Sequence, residues 1–283
     1  MRHQVWSLSL VGCLGWALWA TAEGAELIER ETPSGKIVGY KDTPLLPWTG
    51  NKYHVHDPDR PVPKHVVTDP AGTRDEPGKA PSDAIVLFDG HDLSRFEPSS
   101  WKVENGYAEV ARGYGSLKTK EAFGDCQLHV EWMAPTAPPR NMMNRGNSGV
   151  LLMGLYEIQI FDSHPMHAVQ IYPDGQAASV YGQTPPLVNA CRRPGQWQTF
   201  DIVFSAPVFE GEKLARRATV TMFHNGVLVH WGQEIMGPMA HRRIEPYRPH
   251  PAKLPLVLQG HDSPVRFRNV WIRPLSKPSD DGP

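Results

Sequence analysis

The chain has 283 residues, which is enough for one large domain with extensions. Its 29 lysines and arginines balance its 30 aspartates and glutamates, so the charge gives no electrostatic case for binding nucleic acid or an anionic membrane. The 28 prolines and 25 glycines indicate short strands joined by many turns, together with an irregular arm.

The first 22 residues have the features of a cleaved export signal. A short basic start and the apolar run VWSLSLVGCLGWALWA precede Ala20-Thr21-Ala22, which places small residues where a signal peptidase cuts. The run is too short to predict a membrane span. The sequence therefore predicts export to the periplasm or the extracellular space. The alternative is a lipoprotein, because Leu10-Val11-Gly12-Cys13 resembles the motif for lipid attachment at Cys13.

Two cysteines, Cys126 and Cys191, follow the signal. An oxidising compartment permits a disulfide between them. Sequence alone does not show that two cysteines lie close enough to pair. The sequence leaves both a disulfide and two buried free thiols open as interpretations.

Residues 23–82 form a proline-rich arm and linker without a periodic pattern. Prolines recur every few residues and remove donors that a sheet would need. Apolar side chains such as Trp48, Tyr53 and Val55 are costly to leave in water, so we expect the arm to pack across a main domain. The stretch DPAGTRDEPGKAPSD is typical of a flexible connection, and residues 277–283 are typical of a disordered tail.

Residues 83–276 carry a pattern of many short strands. Segments such as AIVLFDG, CQLHVEWMA, YEIQIF and QTFDIVFSA alternate or run apolar over strand lengths. The pairs Asn105-Gly106 and Asn225-Gly226 stand between such segments and predict hairpin turns of type I′. No segment has a convincing amphipathic helical pattern. We therefore predict an all-β antiparallel sandwich or jelly roll.

Two of these strands alternate core residues with polar ones. In CQLHVEWMA the polar face holds His129 and Glu131, and in YEIQIF it holds Glu157 and Gln159. An outer face in contact with solvent explains this pattern. If the strands are neighbours, their polar residues instead share one concave surface suited to sugars, whose hydroxyls bind amides and carboxylates. The aromatic candidates for stacking on a sugar ring are Tyr172, Tyr181 and Trp231.

Cofactors stay unknown at this stage, and no metal site is predicted. The run His54-Val55-His56-Asp57 has the ligand types of a zinc site, but nothing fixes a fourth ligand. A calcium ion held by loop oxygens is equally open. The chain has no glycine-rich phosphate loop and no G-x-S-x-G nucleophile elbow.

Ten segments resemble, in the right order, the 3-keto-disaccharide hydrolase domain family. They include IVLFDGHDLSRF, GDCQLHVEW, RGNSGVLLM, YEIQIFDS, DGQAASVYGQ, PGQWQTFDIVF and LQGHDSPVRFRNVWIRPL. The resemblance covers about residues 84–275 and implies a concanavalin A-like jelly-roll β-sandwich with a concave sheet. It also implies cleavage of glycosides that have been oxidised to a ketone at C3 of the sugar.

That chemistry needs a base near C2, donors for an enolate oxygen and an acid for the leaving oxygen. The catalytic candidates are Glu157 as base, with His129 or His261 as rivals, and Arg145 and Asn147 as donors to the ketone oxygen. Tyr181 or His261 would serve as acid. The substrate-binding candidates, expected to hold hydroxyl groups, are Glu131, His129, Gln159, Asp162, Tyr181 and Gln183, of which His129 and Tyr181 are also named above. Asn147 has an alternative role in a strand-entry turn, and Asp162 in capping a turn.

Three functions compete on this evidence. The first is an exported enzyme that cleaves 3-keto glycosides or disaccharides, whose substrate would be made by an upstream sugar oxidoreductase. The second is a non-catalytic, lectin-like carbohydrate-binding module, and the third is a structural or interaction domain. An ordinary glycosidase that uses Glu131 and Glu157 as its carboxylate pair is a further enzymatic alternative. The expected partner is a carbohydrate, with no nucleic acid and no membrane span.

Overall fold

The structure is a computed structural model. It describes residues 25–32, 35–66, 77–111, 113, 115–137, 139 and 141–276. The export signal, the lipid-attachment alternative at Cys13, the tail at 277–283 and most of the flexible connection lie outside the described residues.

Strands dominate the described residues, which contain three single-turn 3-10 helices and no α-helix. The strands are, in chain order, β1 (Ile28–Thr32), β2 (Gly35–Gly39), β3 (Lys64–His65), β4 (Ile85–Phe88), β5 (Lys102–Glu104), β6 (Tyr107–Glu109), β7 (Leu117–Phe123), β8 (Cys126–Met133), β9 (Ser148–Leu152), β10 (Tyr156–Ile160), β11 (Val169–Gln170), β12 (Val188–Asn189), β13 (Gln198–Ser205), β14 (Val208–Glu210), β15 (Lys213–Arg216), β16 (Thr219–His224), β17 (Val227–Glu234), β18 (Leu254–Leu258) and β19 (Arg266–Pro274). No helix among the described residues is long and apolar enough to cross a bilayer.

Two antiparallel sheets form the sandwich. The larger has the order β17-β16-β13-β8-β19-β6-β5, with β4 also paired to β19, and the smaller has the order β10-β9-β18-β7. Their inner faces share one apolar core, to which β8 contributes Leu128, Val130 and Trp132 and β10 contributes Tyr156 and Ile158. The predicted all-β jelly-roll sandwich is confirmed, because alternation along each strand buries one face and leaves the other outside the core.

The hairpin turns lie where the Asn-Gly pairs predict them. Asn105 and Gly106 join β5 to β6 with φ of 49° and 77°, and Asn225 and Gly226 join β16 to β17 with φ of 53° and 79°. A type I′ turn requires positive φ at both central positions, which asparagine and glycine tolerate best. These four residues therefore set the strand pairing at both ends of the larger sheet.

The two cysteines that follow the signal are free thiols. Cys126 begins β8 and Cys191 lies in the long connection between β12 and β13, and both are buried. Burial raises the pKa of each thiol to about 12, so neither is reactive at neutral pH. Of the two interpretations left open by the sequence, the structure has the buried free thiols.

The arm packs on the long connection that joins β10 to β13. Strand β2 pairs antiparallel with β1 and parallel with β11, and β3 pairs parallel with β12. Leu46 and Val55 of the arm are fully buried. The arm is therefore a layer of the folded protein, held by short sheets and apolar contacts.

A buried ionic group joins the arm to this connection. One Asp174 oxygen accepts hydrogen bonds from Arg60 Nη1 at 3.0 Å and from the His56 backbone N at 3.1 Å, and the other lies 3.1 Å from His56 Nδ1. Burial opposes ionisation of Asp174, but the charges and hydrogen bonds of His56 and Arg60 outweigh it and lower the pKa. Because all three side chains are buried, the arm cannot leave without exposing charges that depend on each other.

Replacement Asp174→Ala should destabilise the protein by about 3–5 kcal/mol, since it leaves Arg60 buried without its carboxylate. The matched control Glu121→Ala breaks the exposed ion pair with Arg95 and should cost less than about 1 kcal/mol. Urea unfolding of both variants measures the difference. Equal, small losses would show that the buried group does not hold the arm.

Candidate functional site

Strands β9 and β10 form the floor of a cleft on the outer face of the smaller sheet. Glu157 and Gln159 point away from the core, and they pair across the sheet with Leu151 and Gly149. The period of two along β10 places Tyr156 and its apolar neighbours inside and the two polar residues outside. The outward direction predicted for Glu157 and Gln159 matches the structure.

A cavity of about 360 Å³ lies above this floor. Six residues predicted from the sequence line it, namely Asn147, Glu157, Gln159, Tyr172, Tyr181 and His261. Five further residues complete the lining, namely Tyr40, Met143, Met239, His241 and Gln259. Aromatic rings, amides and imidazoles in one concave site are the groups that bind sugar rings and their hydroxyls.

The segment 178–181 covers the open edge of β10. Gln159 N donates to Ser179 O at 2.9 Å, Ala178 N donates to Gln159 O at 2.8 Å, and Tyr181 N donates to Glu157 O at 3.1 Å. These backbone bonds continue the smaller sheet by one irregular strand. They carry Tyr181 to the side of the cavity that lies beyond β10.

Glu157 is a buried carboxyl group whose pKa is raised to about 8 by burial. Burial alone raises this pKa, because among the described residues no cation or hydrogen bond stabilises the charged form. The neighbouring strand makes room for it, because a Cβ at Gly149 would lie 2.3 Å from Glu157 Oε1. The carboxyl group therefore titrates close to neutral pH, in the range suited to a general base or acid.

Gln159 brings an unused acceptor to the cavity. Its side chain is buried, and its amide oxygen has no hydrogen-bond partner in the structure. A buried polar atom without a partner is costly, and a ligand hydroxyl would satisfy it. This atom favours a hydroxylated ligand in the cavity.

Tyr172, Tyr181 and His241 form a hydrogen-bonded group at one side of the cavity. The Tyr181 hydroxyl lies 2.8 Å from His241 Nδ1 and 3.3 Å from the Tyr172 hydroxyl. Burial raises the pKa of both tyrosines and lowers that of His241 to about 4. All three groups are therefore neutral at pH 7 and act through hydrogen bonds.

Asn147 and His261 line the cavity from the side of β9 and β18. Asn147 Nδ2 donates to Met143 O at 2.9 Å, so its side chain also holds the turn that leads into β9, as the alternative role suggested. His261 Nδ1 accepts from the Asp262 backbone N at 3.0 Å, which places the proton of the neutral ring on Nε2. Burial lowers the pKa of His261, so the neutral ring is favoured.

Arg145 and Asp162 lie in a neighbouring cavity of about 420 Å³ and not in the cavity of Glu157. Arg145 is buried, and its guanidinium donates to the backbone oxygens of Asp162 at 2.9 Å and Val169 at 3.0 Å. The Asp162 carboxylate lies 2.7 Å from His167 Nε2. The expectation that Arg145 binds the ketone and Asp162 a hydroxyl of the same ligand as Glu157 does not fit, because both side chains line a different cavity.

Gln183 is also used by the fold. Its amide nitrogen donates to Gly237 O at 2.9 Å, and its amide oxygen accepts from Met236 N at 2.7 Å. Both ends of the side chain are therefore bound to backbone, and Gln183 does not line the cavity of Glu157. Its predicted role in holding a sugar hydroxyl is wrong for this cavity.

His129 and Glu131 belong to the opposite sheet, so the expected shared surface with Glu157 is wrong. Strand β8 pairs with β13 and β19 in the larger sheet, whereas β10 pairs with β9 in the smaller one. The apolar core lies between the two faces. Glu131 and Glu157 therefore cannot act on one glycosidic bond, which excludes the ordinary glycosidase pair proposed from the sequence.

Around Glu131 and His129, polar groups pair with each other. Glu131 accepts from Arg268 Nε, Asn269 Nδ2 and the Gly78 backbone N, and these bonds outweigh burial and lower its pKa to about 2. Burial also opposes the charge of His129, but the bond to Asp201 at 2.6 Å and the charge of Glu131 raise its pKa to about 9. This network fastens the linker to the larger sheet. Trp231, the third aromatic candidate, is exposed on β17 of the same sheet.

The candidate zinc ligands of the arm have protein partners. His56 binds Asp174, the His54 ring contacts Thr43 O, and the Asp57 carboxylate accepts from Lys41. Within the described ranges, no group of three or more histidine, cysteine or acidic side chains has the arrangement of a metal site. These side chains therefore make hydrogen bonds within the arm and to Asp174 of the connection.

Sequence analysis missed several cavity residues because they lie in irregular segments. Tyr40 directly follows β2 of the arm, and His241 lies in a stretch without strand periodicity. Gln259 directly follows β18 and belongs to a segment quoted for the family resemblance, which was the available signal for it. Periodicity identifies residues on strands, whereas loop residues reach a site through tertiary contacts.

A family model, described as the 3-keto-alpha-glucoside-1,2-lyase-like domain, matches residues 83–273. The chain belongs to this family. The match spans both sheets and the floor of the cleft, so the resemblance found in the sequence is confirmed. Family membership places this lyase-like domain, residues 83–273, among glycosyl hydrolase-like domains.

Solved structures from Parabacteroides distasonis resemble the lyase-like domain. A protein named as a proposed glycosyl hydrolase is 40% identical, with 69% of this chain and 85% of that chain covered and a TM-score of 0.65. A second, also named as a proposed glycosyl hydrolase, is 22% identical over 68% of this chain and 99% of that chain, with a TM-score of 0.50. The second likeness shows the fold alone. No curated protein sequence matches the chain significantly.

Replacement Glu157→Gln should stabilise the lyase-like domain increasingly as pH rises from about 4.5 to 8. The carboxyl group has its pKa raised in the folded state, so the folded wild type binds more protons and loses stability over that window. The gain at pH 8 should be on the order of a few kcal/mol. Urea unfolding at pH 5 and pH 8 measures it, and a gap that does not change with pH would contradict the raised pKa.

Replacement Asp201→Asn should destabilise the domain below pH 6.5, on the order of 2 kcal/mol, and have little effect above pH 9. The reason is that the raised pKa of His129 contributes stability that is fully present below pH 6.5 and is lost as pH rises through 9. Urea unfolding at pH 6 and pH 9.5 tests this, with Glu121→Gln as an exposed control. A loss that is equal at both values would argue against a protonated His129.

Proposed function

We propose that the protein is an enzyme that cleaves glycosides carrying a ketone at C3 of the sugar, with Glu157 as the base that removes the C2 proton. The observation that carries the proposal is the single carboxyl group of the cavity. Among the described residues that line it, Glu157 alone is acidic. An ordinary glycosidase needs two carboxyl groups across the scissile bond, whereas removal of an acidified proton needs one base.

The raised pKa of Glu157 suits this step. A ketone at C3 acidifies the hydrogen on C2, and a base whose pKa is about 8 removes it more readily than an ordinary carboxylate. The electrons of the C–H bond form an enolate, the C1 substituent leaves, and a C1–C2 double bond conjugated with the ketone results. Water then adds at C1 while C2 regains a proton, and the net reaction is hydrolysis.

Neutral donors around the floor stabilise the developing charge. On the side of β9 and β18, the His261 ring and the amide of Asn147 line the cavity and would donate hydrogen bonds to the departing oxygen, which takes up its proton from solvent. On the opposite side, Tyr172, Tyr181 and His241 form a hydrogen-bonded group that would donate to the enolate oxygen at C3. Gln159 supplies the acceptor for a neighbouring sugar hydroxyl.

The comparisons support this proposal at a coarser level. The matching family is described by its likeness to a 3-keto-alpha-glucoside lyase, and the 40% identical protein is named for glycosyl hydrolysis. A ketone at C3 arises by oxidation of the sugar hydroxyl, so we propose an upstream sugar oxidoreductase as a functional partner. Export of the protein would place this reaction in the periplasm or outside the cell.

Turnover of a 3-keto disaccharide beside its unoxidised parent tests the proposal. The protein should cleave only the keto sugar, and Glu157→Gln should reduce kcat by about 10²–10⁴-fold with little change in KM, because the base acts on the reacting hydrogen. The control Glu131→Gln, whose residue lies on the opposite sheet, should retain turnover at a temperature where circular dichroism shows it folded.

Three outcomes would count against the proposal. Cleavage of both sugars would indicate ordinary glycoside hydrolysis. Binding of the keto sugar without cleavage would indicate a carbohydrate-binding module. Loss of turnover in Glu131→Gln but not in Glu157→Gln would move the site to the larger sheet.

A further inference from the structure

The cleft of the smaller sheet is closed at one end. Strand β10 is the edge strand of that sheet, and the segment 178–181 continues it by backbone hydrogen bonds. Tyr181 and Tyr172 therefore lie past Glu157, in the space that would be open if the sheet ended at β10. A long sugar chain lying across the sheet would meet these rings.

The arm supplies the outer part of this end. Tyr40 follows β2, lines the cavity, and has its ring centroid 6.2 Å from that of Tyr172. Its backbone N donates to His56 O at 2.9 Å, and the Arg242 guanidinium lies 5.2 Å from its ring centroid. Tyr40 is thus fixed by contacts on several sides. We call Tyr40, Tyr172 and Tyr181 the end wall.

The contacts behind the end wall are tight. The His56 ring stacks on Tyr172 at 4.0 Å and lies 5.0 Å from Tyr181, while Asp174 holds it through a buried carboxylate. A Cβ at Gly39, the residue before Tyr40, would lie 2.4 Å from His56 O, so the two arm segments touch backbone to backbone. Such packing describes a fixed wall, because moving it would expose the Asp174 group.

The arm lies outside the part of the chain that the family model matches. That match begins at residue 83, whereas Tyr40 and His56 precede it. The floor residues belong to the matched domain, but the end wall is completed by a segment that precedes the matched range. A segment added around a common binding site can determine which substrates that site accepts.

From this arrangement we infer that the arm restricts the site to glycosides whose reacting sugar is the terminal unit. The cavity of about 360 Å³ is at the small end of the range for ligand sites, which suits one or two sugar rings. With the end wall beyond β10, the leaving group departs over β9 and β18, past Asn147 and His261. A reacting sugar extended by a further unit would have to pass through Tyr40. The part of this inference that concerns the ketone rests on the proposed function, whereas the part that concerns the shape of the site does not.

Binding to the full chain with Glu157→Gln, which separates binding from turnover, tests the inference. Two ligands are compared by calorimetry: a 3-keto disaccharide with a terminal keto unit, and a trisaccharide whose keto unit carries another sugar at O4. The terminal ligand should bind at least about tenfold more tightly. Adding Tyr40→Ala should reduce that ratio about tenfold, while Tyr40→Phe, which keeps the ring, should preserve it.

The control is Tyr53→Ala, which removes an arm tyrosine that does not line the cavity and should leave the ratio unchanged. Thermal unfolding checks that each variant is folded. Equal binding of the two ligands, or an unchanged ratio in folded Tyr40→Ala, would overturn the inference. The unoxidised disaccharide and trisaccharide are measured in parallel. Equal affinity with and without the ketone would count against the proposed function. The ratio of disaccharide to trisaccharide affinity would still test the end wall. Absence of binding by every sugar overturns both.

Discussion

Burial of the Glu157 carboxyl group without a charged partner is the constraint on which the site depends. Water and cations both stabilise a carboxylate, and Glu157 has neither in sufficient measure, so its pKa rises to about 8. The fold tolerates this because Gly149 on the neighbouring strand leaves room for the side chain and the sandwich core supports the strand beneath it. Asp174 shows the opposite solution, since two arm residues, His56 and Arg60, neutralise its buried charge. One carboxyl group titrates near neutral pH, and the other is kept ionised and ties the arm to the domain.

The sandwich divides the polar residues of the chain into two separate faces. The smaller sheet has a floor with one titrating carboxyl group and neutral hydrogen-bonding groups around it. The larger sheet has Glu131 and His129 in a network of paired charges that binds the linker at Gly78. The ion pairs and hydrogen bonds of Glu131 lower its pKa to about 2, so it stays ionised at neutral pH, which suits a structural role. Glu157 has no such partner among the described residues, and its pKa near neutral pH lets it exchange a proton. The chemistry we propose follows from this difference between two glutamates that look alike in sequence.

Local patterns were sufficient to predict the strands, the Asn-Gly hairpins and the direction in which Glu157 points, because these depend on a period of two and on positive φ. They could not predict which strands are neighbours. The alternating pattern groups Glu131 with Glu157, although β8 pairs with β19, more than a hundred residues away, and β10 pairs with β9. Residue type alone makes Arg145 and Gln183 candidates, and only tertiary structure shows that Arg145 lines a different cavity and that backbone groups bind both ends of the Gln183 amide. Tyr40 reaches the cavity from an arm with no periodic pattern at all, so its place there was beyond sequence reasoning.

The central claim is that the C2 hydrogen is removed before the glycosidic bond breaks. Hydrolysis of a 3-keto disaccharide in D₂O, with early product analysed by NMR, tests it most directly. The account predicts one deuterium at C2 of the released sugar for each turnover, in excess of the slow exchange of the same sugar without protein. Release of sugar that retains its original C2 hydrogen would mean that water or a nucleophile displaces the leaving group directly, and Glu157 would then not be the base described here.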